Sequence, residues 1–581
     1  MNKKTGFYLL ILLIITIVSE SCSLANKTEK NRTLTASGKE VEIPAKIAKE
    51  FLGPVIEIDL LDVDRYVSKV WTPDNMNGTY MNPVIYADYS DPDVIRVKDD
   101  YYMTSSSFSC LPGLPILHSK DLVNWTLIGH ALAKYPNGLF DKPQHGKGAW
   151  APSFRYHNNL FYIYWGDPDA GIYMIRSKSP LGPWEKPVLV LPGIGMIDPC
   201  PLWDDDDKAY LVHAWAASRA GVNSLLTVHR MNTDGTKAIG QGKHVYDGND
   251  DNPTIEGPKF YKWNGYYYIL APAGGVKTGW QLALRSKDVY GPYETKIVLE
   301  QGSTSINGPH QGGLVQTPFG QSWFIHFQDQ KAYGRVVHLQ PVTWQDGWPL
   351  MGRYNEHTDK YEPVLTFQKP DIQNTFPIAN PVESDEFNTD ELGLQWQWQA
   401  NPKLTWYALL RDSHYLRLYP EEMPQDSANL WNAGNLLLQK FPAPNFTAAT
   451  KVTFTPKGPG KCTGLVIMGQ DYACLTMKQT EKGFSLAQVT CKDAAGGKPE
   501  KIIEETPLPG NMVYLRVRVT EPNAECRFSY SSDGKQFQNL GESFPAKPGK
   551  WIGAKVGLFC VREQNARTGG YADFDWFRIE P

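Results

Sequence analysis

Five stretches of the 581-residue chain follow one plan: a short polar or proline-containing start, a strand, a polar turn, then a strand dense in aromatic residues. They read DPDVIRVKDDYYMTSSSF from Asp91, APSFRYHNNLFYIYWG from Ala151, DPCPLWDDDDKAYLVHAW from Asp198, EGPKFYKWNGYYYILAPAG from Glu256 and HQGGLVQTPFGQSWFIHFQD from His310. Their starts are about 45 to 60 residues apart, the length of a four-stranded propeller blade. Such a unit cannot bury its apolar face alone and has to stack against its neighbours. Five units predict a five-bladed β-propeller, with the strand that opens each unit lying next to the central channel. Three of the starts carry carboxylates, Asp91, Asp198 and Glu256, and the other two carry Ser153 and His310.

Asp-Pro at 91–92 and 198–199 is by itself an ordinary turn starter, its carboxylate capping nearby backbone amides. Three acids at matched places in a repeat exceed what turns require. Carboxylates around one aromatic-lined, water-accessible hollow suit glycoside hydrolysis. There one acid protonates the leaving oxygen and a second carboxylate activates water or attacks carbon, with no cofactor required. A third carboxylate raises the pKa of the acid by like-charge repulsion.

The composition agrees with an all-β protein: 18 Trp, 30 Tyr, 50 Gly and 43 Pro, with little helical periodicity. A formal net charge of -4 and the lack of a long basic stripe argue against a nucleic-acid partner. The proline-rich stretch 367–383 separates the propeller, 79–366, from a second β-rich region, 384–581, in which VYLRVRVT alternates as a half-buried strand does. The run Asp204 to Asp207 sits at a hairpin turn and reads as a solvated turn.

In order and spacing, the five segments, together with GRVVHLQPVTWQDGWPLMG from Gly334, resemble glycoside hydrolase family 43. That resemblance implies a five-bladed propeller followed by a concanavalin-like β-sandwich. It also implies an inverting, exo-acting enzyme that removes terminal α-L-arabinofuranose or β-D-xylose from plant polysaccharides or oligosaccharides, with a slight lean to arabinofuranose. Carried over by position, Asp91 is the general base, Glu256 the general acid and Asp198 the residue that tunes and orients the acid. Phe108 and Trp150 match aromatic walls of the sugar pocket, and Arg335 an arginine that reaches into it. His310 matches an axial histidine that in some members helps to hold a calcium ion through water; an interior hydrogen-bonded histidine is the competing reading. Many members read Trp-Ala-Pro-Asp where this chain has Trp150-Ala151-Pro152-Ser153. Two rival readings are a catalytically silent carbohydrate-binding propeller and an endo-acting arabinanase.

Residues 1–21 combine a basic start, MNKK, with the apolar FYLLILLIITIV, and Cys22 follows among small residues. This resembles a bacterial lipoprotein signal, with Cys22 as the acylated residue and 22–78 as a stalk or linker. The expectation is an exported enzyme, anchored by lipid in the cell envelope, facing the periplasm or the cell surface, and touching membrane only through that anchor. Seven further cysteines remain, and in that compartment the five late ones could supply one or two disulfides.

Overall fold

The computed structural model describes residues 32–34, 40–42 and 65–581, apart from 137, 411, 412 and 426. The signal-like segment and Cys22 lie outside the described residues. The chain divides into two units, Met1–Asp62 and Val63–Pro581. Of the first, only a short antiparallel pair is described, Arg32–Leu34 with Glu40–Glu42.

The larger unit opens with a five-bladed propeller. Each blade is an antiparallel sheet of four consecutive strands. The innermost strands are Asp93–Val97, Trp150–His157, Met196–Trp203, Lys259–Trp263 and His310–Gln316. The second strands, such as Phe161–Trp165 and Ile269–Ala273, are apolar almost without break because they are covered on both faces. Outer strands such as Ala238–Asp247 face water and turn polar.

Since every blade uses only its own strands, side chains and backbone bridges close the ring between the last blade and the first. The Asn82 amide donates to the Leu339 and Val364 carbonyls at 2.8 Å each and accepts from the Leu339 N–H at 2.8 Å. Ile85 pairs with Val337 through the backbone. An apolar cluster joins Val94, Tyr101 and Trp125 of the first blade to Trp323, Ile325 and Leu339 of the fifth.

The second domain is a sandwich of two eight-stranded sheets. In Met512–Thr520, Val513, Leu515, Val517 and Val519 are buried while Tyr514, Arg516 and Arg518 point away, the two-residue alternation read from the sequence. Stretch 367–383 is packed rather than free: Lys369 meets Asp121 of the first blade at 2.9 Å and Asp74 at 2.6 Å, and Glu383 accepts from Ser68 and Tyr66. The seven cysteines beyond Cys22 are all free thiols, so the bridges allowed for above do not form.

Candidate active site

Within each innermost strand or just before it, one residue adopts a positive φ: Asp91 at 54°, Ala151 at 38°, Asp198 at 57°, Gly257 at 58° and Gln311 at 41°. Four of these are not glycine, and such backbone strain costs on the order of 1–3 kcal/mol per residue. The strands of the second, third and fifth blades break register there. The kink re-aims the chain, so neighbouring positions become separate layers around the axis. Asp91 and Asp198 occupy one layer. Glu256 and His310 come one residue before the kink, and Asp93, Ser153, Cys200 and Lys259 come two after it. The sequence repeat had set the three acids, Ser153 and His310 side by side. The offset could not be seen there, because the phase of a bulge depends on the sheet it sits in.

The three acids nevertheless share one hollow: Asp198 feels the charge of Asp91, and Glu256 feels the charge of both. Asp91, 4 % exposed, accepts from Ser106 Oγ at 2.5 Å and Ser90 Oγ at 2.8 Å, and its Oδ1 lies 3.2 Å from the Arg335 guanidinium. Asp198 accepts from the Gly257 N–H at 2.8 Å. Burial first, and the charge of Asp91 second, push its pKa up, while Gly257, Lys259 and Arg335 pull it down. Glu256 has no such donor. His310 Nε2 lies 3.5 Å from its Oε1, beyond a good hydrogen bond. A third of the Glu256 side chain is exposed to the hollow, yet desolvation there, then Asp198, then Asp91 push its pKa up to about 8. With a backbone donor and a cation on the side of Asp198, the proton of the pair resides on Glu256.

Phe108 and Trp150 meet edge to face at 5.9 Å, and Trp551 of the sandwich meets Trp150 at 6.0 Å. The sandwich loop that carries Trp551 is pinned by Asp88. Its Oδ1 accepts from the Arg335 N–H and its Oδ2 from the Gly553 N–H, both at 2.9 Å. A cavity of about 760 Å³ lies between the two domains, lined by Arg335 and Tyr333 on one side and Lys550, Trp551 and Ile552 on the other. Of the groups around the acids only Arg335 lines this cavity; the second domain reaches the site through Trp551 against Trp150.

Below the acids the axis is sealed. Lys259, fully buried, donates to the Pro152 carbonyl at 2.7 Å and Ser153 Oγ at 3.0 Å, and stands 4.0 Å from Asp93. Asp93 accepts from Arg155 at 2.7 Å and from the Phe154 N–H at 2.8 Å. Ser153 is therefore a partner of a buried lysine, below the three acids.

His310 is fully buried on the axis, and both its ring nitrogens lack a hydrogen-bond partner among the described residues. Burial, then Arg335 and His326, push its pKa down to about 3, so it is neutral. Orphaned nitrogens fit water. They do not ligate calcium directly: calcium takes six to eight oxygen ligands, and no group of three or more His, Cys, Asp or Glu suited to a metal occurs among the described residues. The donor set does not fit a directly ligated ion.

Ser90, Ser106, Asp88, Trp551 and Lys259 were missed from the sequence. Lys259 had left a signal: a lysine in an innermost strand, where no charge rests without a partner.

Residues 80–349 match the model for glycosyl hydrolases family 43, and residues 384–580 match the beta xylosidase C-terminal concanavalin A-like domain. A relative from Xylanibacter ruminicola is 40% identical over 516 residues, 88% of this chain and 90% of the relative. A beta-xylosidase of Formosa agariphila is 33% identical, covering 87% of this chain and 91% of its own. A non-reducing end alpha-L-arabinofuranosidase of Bacteroides ovatus is 30% identical, covering 86% and 94%. The solved structure of a xylan beta-1,4-xylosidase from Bacillus halodurans superposes with a TM-score of 0.76 at 25% identity, covering 86% of this chain and all of that one. By its propeller, its sandwich and these likenesses, the chain belongs to glycosyl hydrolases family 43 and is an exo-acting glycoside hydrolase.

Proposed function

We propose that the enzyme releases single terminal pentoses, β-D-xylose or α-L-arabinofuranose, from the non-reducing ends of plant polysaccharides or their oligosaccharides, with inversion. The observation that carries this reading is the unequal treatment of three carboxylates in one hollow. Among the described residues Glu256 has no donor, and it holds a proton; Asp91 is gripped by two hydroxyls and a guanidinium.

Glu256 gives its proton to the glycosidic oxygen as the bond to the sugar breaks. Asp91 takes a proton from the water that attacks the opposite face. Asp198 keeps Glu256 protonated by its charge and holds the adjoining backbone through Gly257. Neutral His310 beside Glu256 leaves that proton in place. The Trp150–Trp551 contact shortens the site on one side and favours chain ends over chain interiors. The likeness to a beta-xylosidase exceeds that to the arabinofuranosidase, which moves the balance from arabinofuranose towards xylose.

Nitrophenyl β-D-xyloside and α-L-arabinofuranoside, followed by NMR from the first turnover, test the proposal. The expected result is phenolate release with the sugar of opposite anomeric configuration appearing first. Absence of release would leave a carbohydrate-binding propeller. A retained anomer would overturn the roles of Asp91 and Glu256. Internal cleavage of linear arabinan would point to the endo reading.

Export and acylation of Cys22 are part of the proposal, supported by the basic start, apolar stretch and small residues before it. Radiolabelled palmitate should enter the unmodified chain and fail to enter Cys22→Ala; equal labelling of both removes the anchor.

A further inference from the structure

The propeller axis has a second mouth. The innermost strands begin at the acids, and their far ends line a separate cavity of about 420 Å³, with Arg155 and Tyr261 at its floor. The sealed layer of Asp93, Arg155 and Lys259 divides it from the catalytic hollow. Pockets for small ligands are of this size, with aromatic walls and a few polar groups.

Its walls are flat and fixed. Trp263 and Trp344 lie nearly parallel, 20° apart with centroids 5.9 Å from each other, and Trp203 stacks on His157 at 4.5 Å. The Trp344 indole donates to Ser322 Oγ and the Trp203 indole to the Thr233 carbonyl, both at 2.9 Å, which locks the ring planes. Trp263 and Tyr156 each remain 39 % exposed. Rings held this way lose little freedom when a ligand settles on them. An aromatic that only fills core does not keep two-fifths of its surface in water.

The charge of the lining is one-sided. Arg96, Arg155, Lys262 and His157 line the cavity, and no acidic side chain among the described residues does. Asp93 neutralises Arg155, and Asp204 neutralises Lys262. Exposed Arg96 bonds only the Lys98 carbonyl, at 2.6 Å, and has no ion pair among the described residues. Aromatic plates offer stacking to sugar rings, and a guanidinium at the rim suits a carboxylate.

We propose that this cavity is a second saccharide site, holding an oligosaccharide segment that carries a uronic acid, with the sugar rings on Trp263 and Trp344 and the carboxylate at Arg96. The choice of a saccharide rests on the family reading above; the choice of an acidic one rests on the lining.

The test uses the full chain carrying Glu256→Gln, titrated calorimetrically with a xylo-oligosaccharide bearing one glucuronosyl branch and with its unbranched parent. The branched probe should bind at a second, independent site that disappears when Trp263→Ala and Trp344→Ala are added. Arg96→Gln should weaken that site about tenfold, the loss of one charge-assisted contact. Arg96 is exposed, so this variant stands in if the tryptophan variant does not fold. With Glu256 intact, neither change should alter hydrolysis of a nitrophenyl pentoside. Identical stoichiometry with and without the tryptophans, or equal affinity for the two probes, overturns the proposal. A failure of the family reading would instead appear as no pentoside hydrolysis by the unmodified chain.

Discussion

The Gly257 N–H donates to the Asp198 carboxylate at 2.8 Å, so Asp198 grips the peptide next to Glu256 and at the same time raises the pKa of Glu256 by its charge. Asparagine at 198 can still accept that bond through its amide oxygen but carries no charge. Asp198→Asn should therefore preserve the fold and shift the basic limb of the kcat/KM profile towards lower pH, with a fall in kcat. An unmoved basic limb would remove Asp198 from the tuning of Glu256.

Asp91 depends on Ser106, which bonds its Oδ2 at 2.5 Å while accepting the Ala151 N–H at 2.7 Å. Asp91→Asn should cost about 10²–10⁴-fold in kcat, the usual worth of a general base. Ser106→Ala leaves the carboxylate present but misaimed and should cost less, at nearly unchanged KM. Steady-state kinetics on an aryl pentoside separate the two.

Glu256 makes stability depend on pH in a stated direction. Its ordinary value is 4.5 and burial with its acidic neighbours takes it to about 8. Below 4.5 both folded and unfolded chains hold this proton. Between 4.5 and 8 only the folded chain does, so stability falls as pH rises and the loss is complete above 8. Glu256→Gln should flatten the fall of Tm across that window while abolishing most activity. A parallel fall in both proteins would assign the slope to other groups.

Lys259 neutralises Asp93 from within the core, alongside Arg155. Lys259→Met should destabilise by about 3–5 kcal/mol, because it leaves buried acceptors and charge without their partner. Urea unfolding followed by propeller fluorescence reads this. A loss below about 1 kcal/mol would mean that Arg155 alone satisfies Asp93.

Trp551 reaches the site from another domain. Trp551→Ala should raise KM for an aryl pentoside by about two- to tenfold, the worth of one aromatic contact, and leave kcat within about twofold. If kcat and KM both stay put, the contact with Trp150 only joins the domains.

The fold was legible because its signals are local. Alternation in Val513 to Val519, turns such as Trp263-Asn264-Gly265 and the recurrence of one strand plan depend on neighbours a few residues apart. The same recurrence placed Asp91, Asp198 and Glu256 in one hollow. Its resolution ended at one residue: the matched kinks put Glu256 a layer away from the two aspartates, and a bulge takes its phase from the strands that pair with it.

What only the tertiary structure decided is which partners come from afar. Gly553 meets Asp88, Trp551 meets Trp150, and Lys259 meets Ser153, across separations that leave no periodic trace in the chain. Sequence alone determined a β-propeller with acids at its axis, since one strand plan recurs five times and three of its starts carry a carboxylate. The proton on Glu256, the chain-end site and the second mouth depend on burial and on charge at short range, quantities that exist only once the blades have closed.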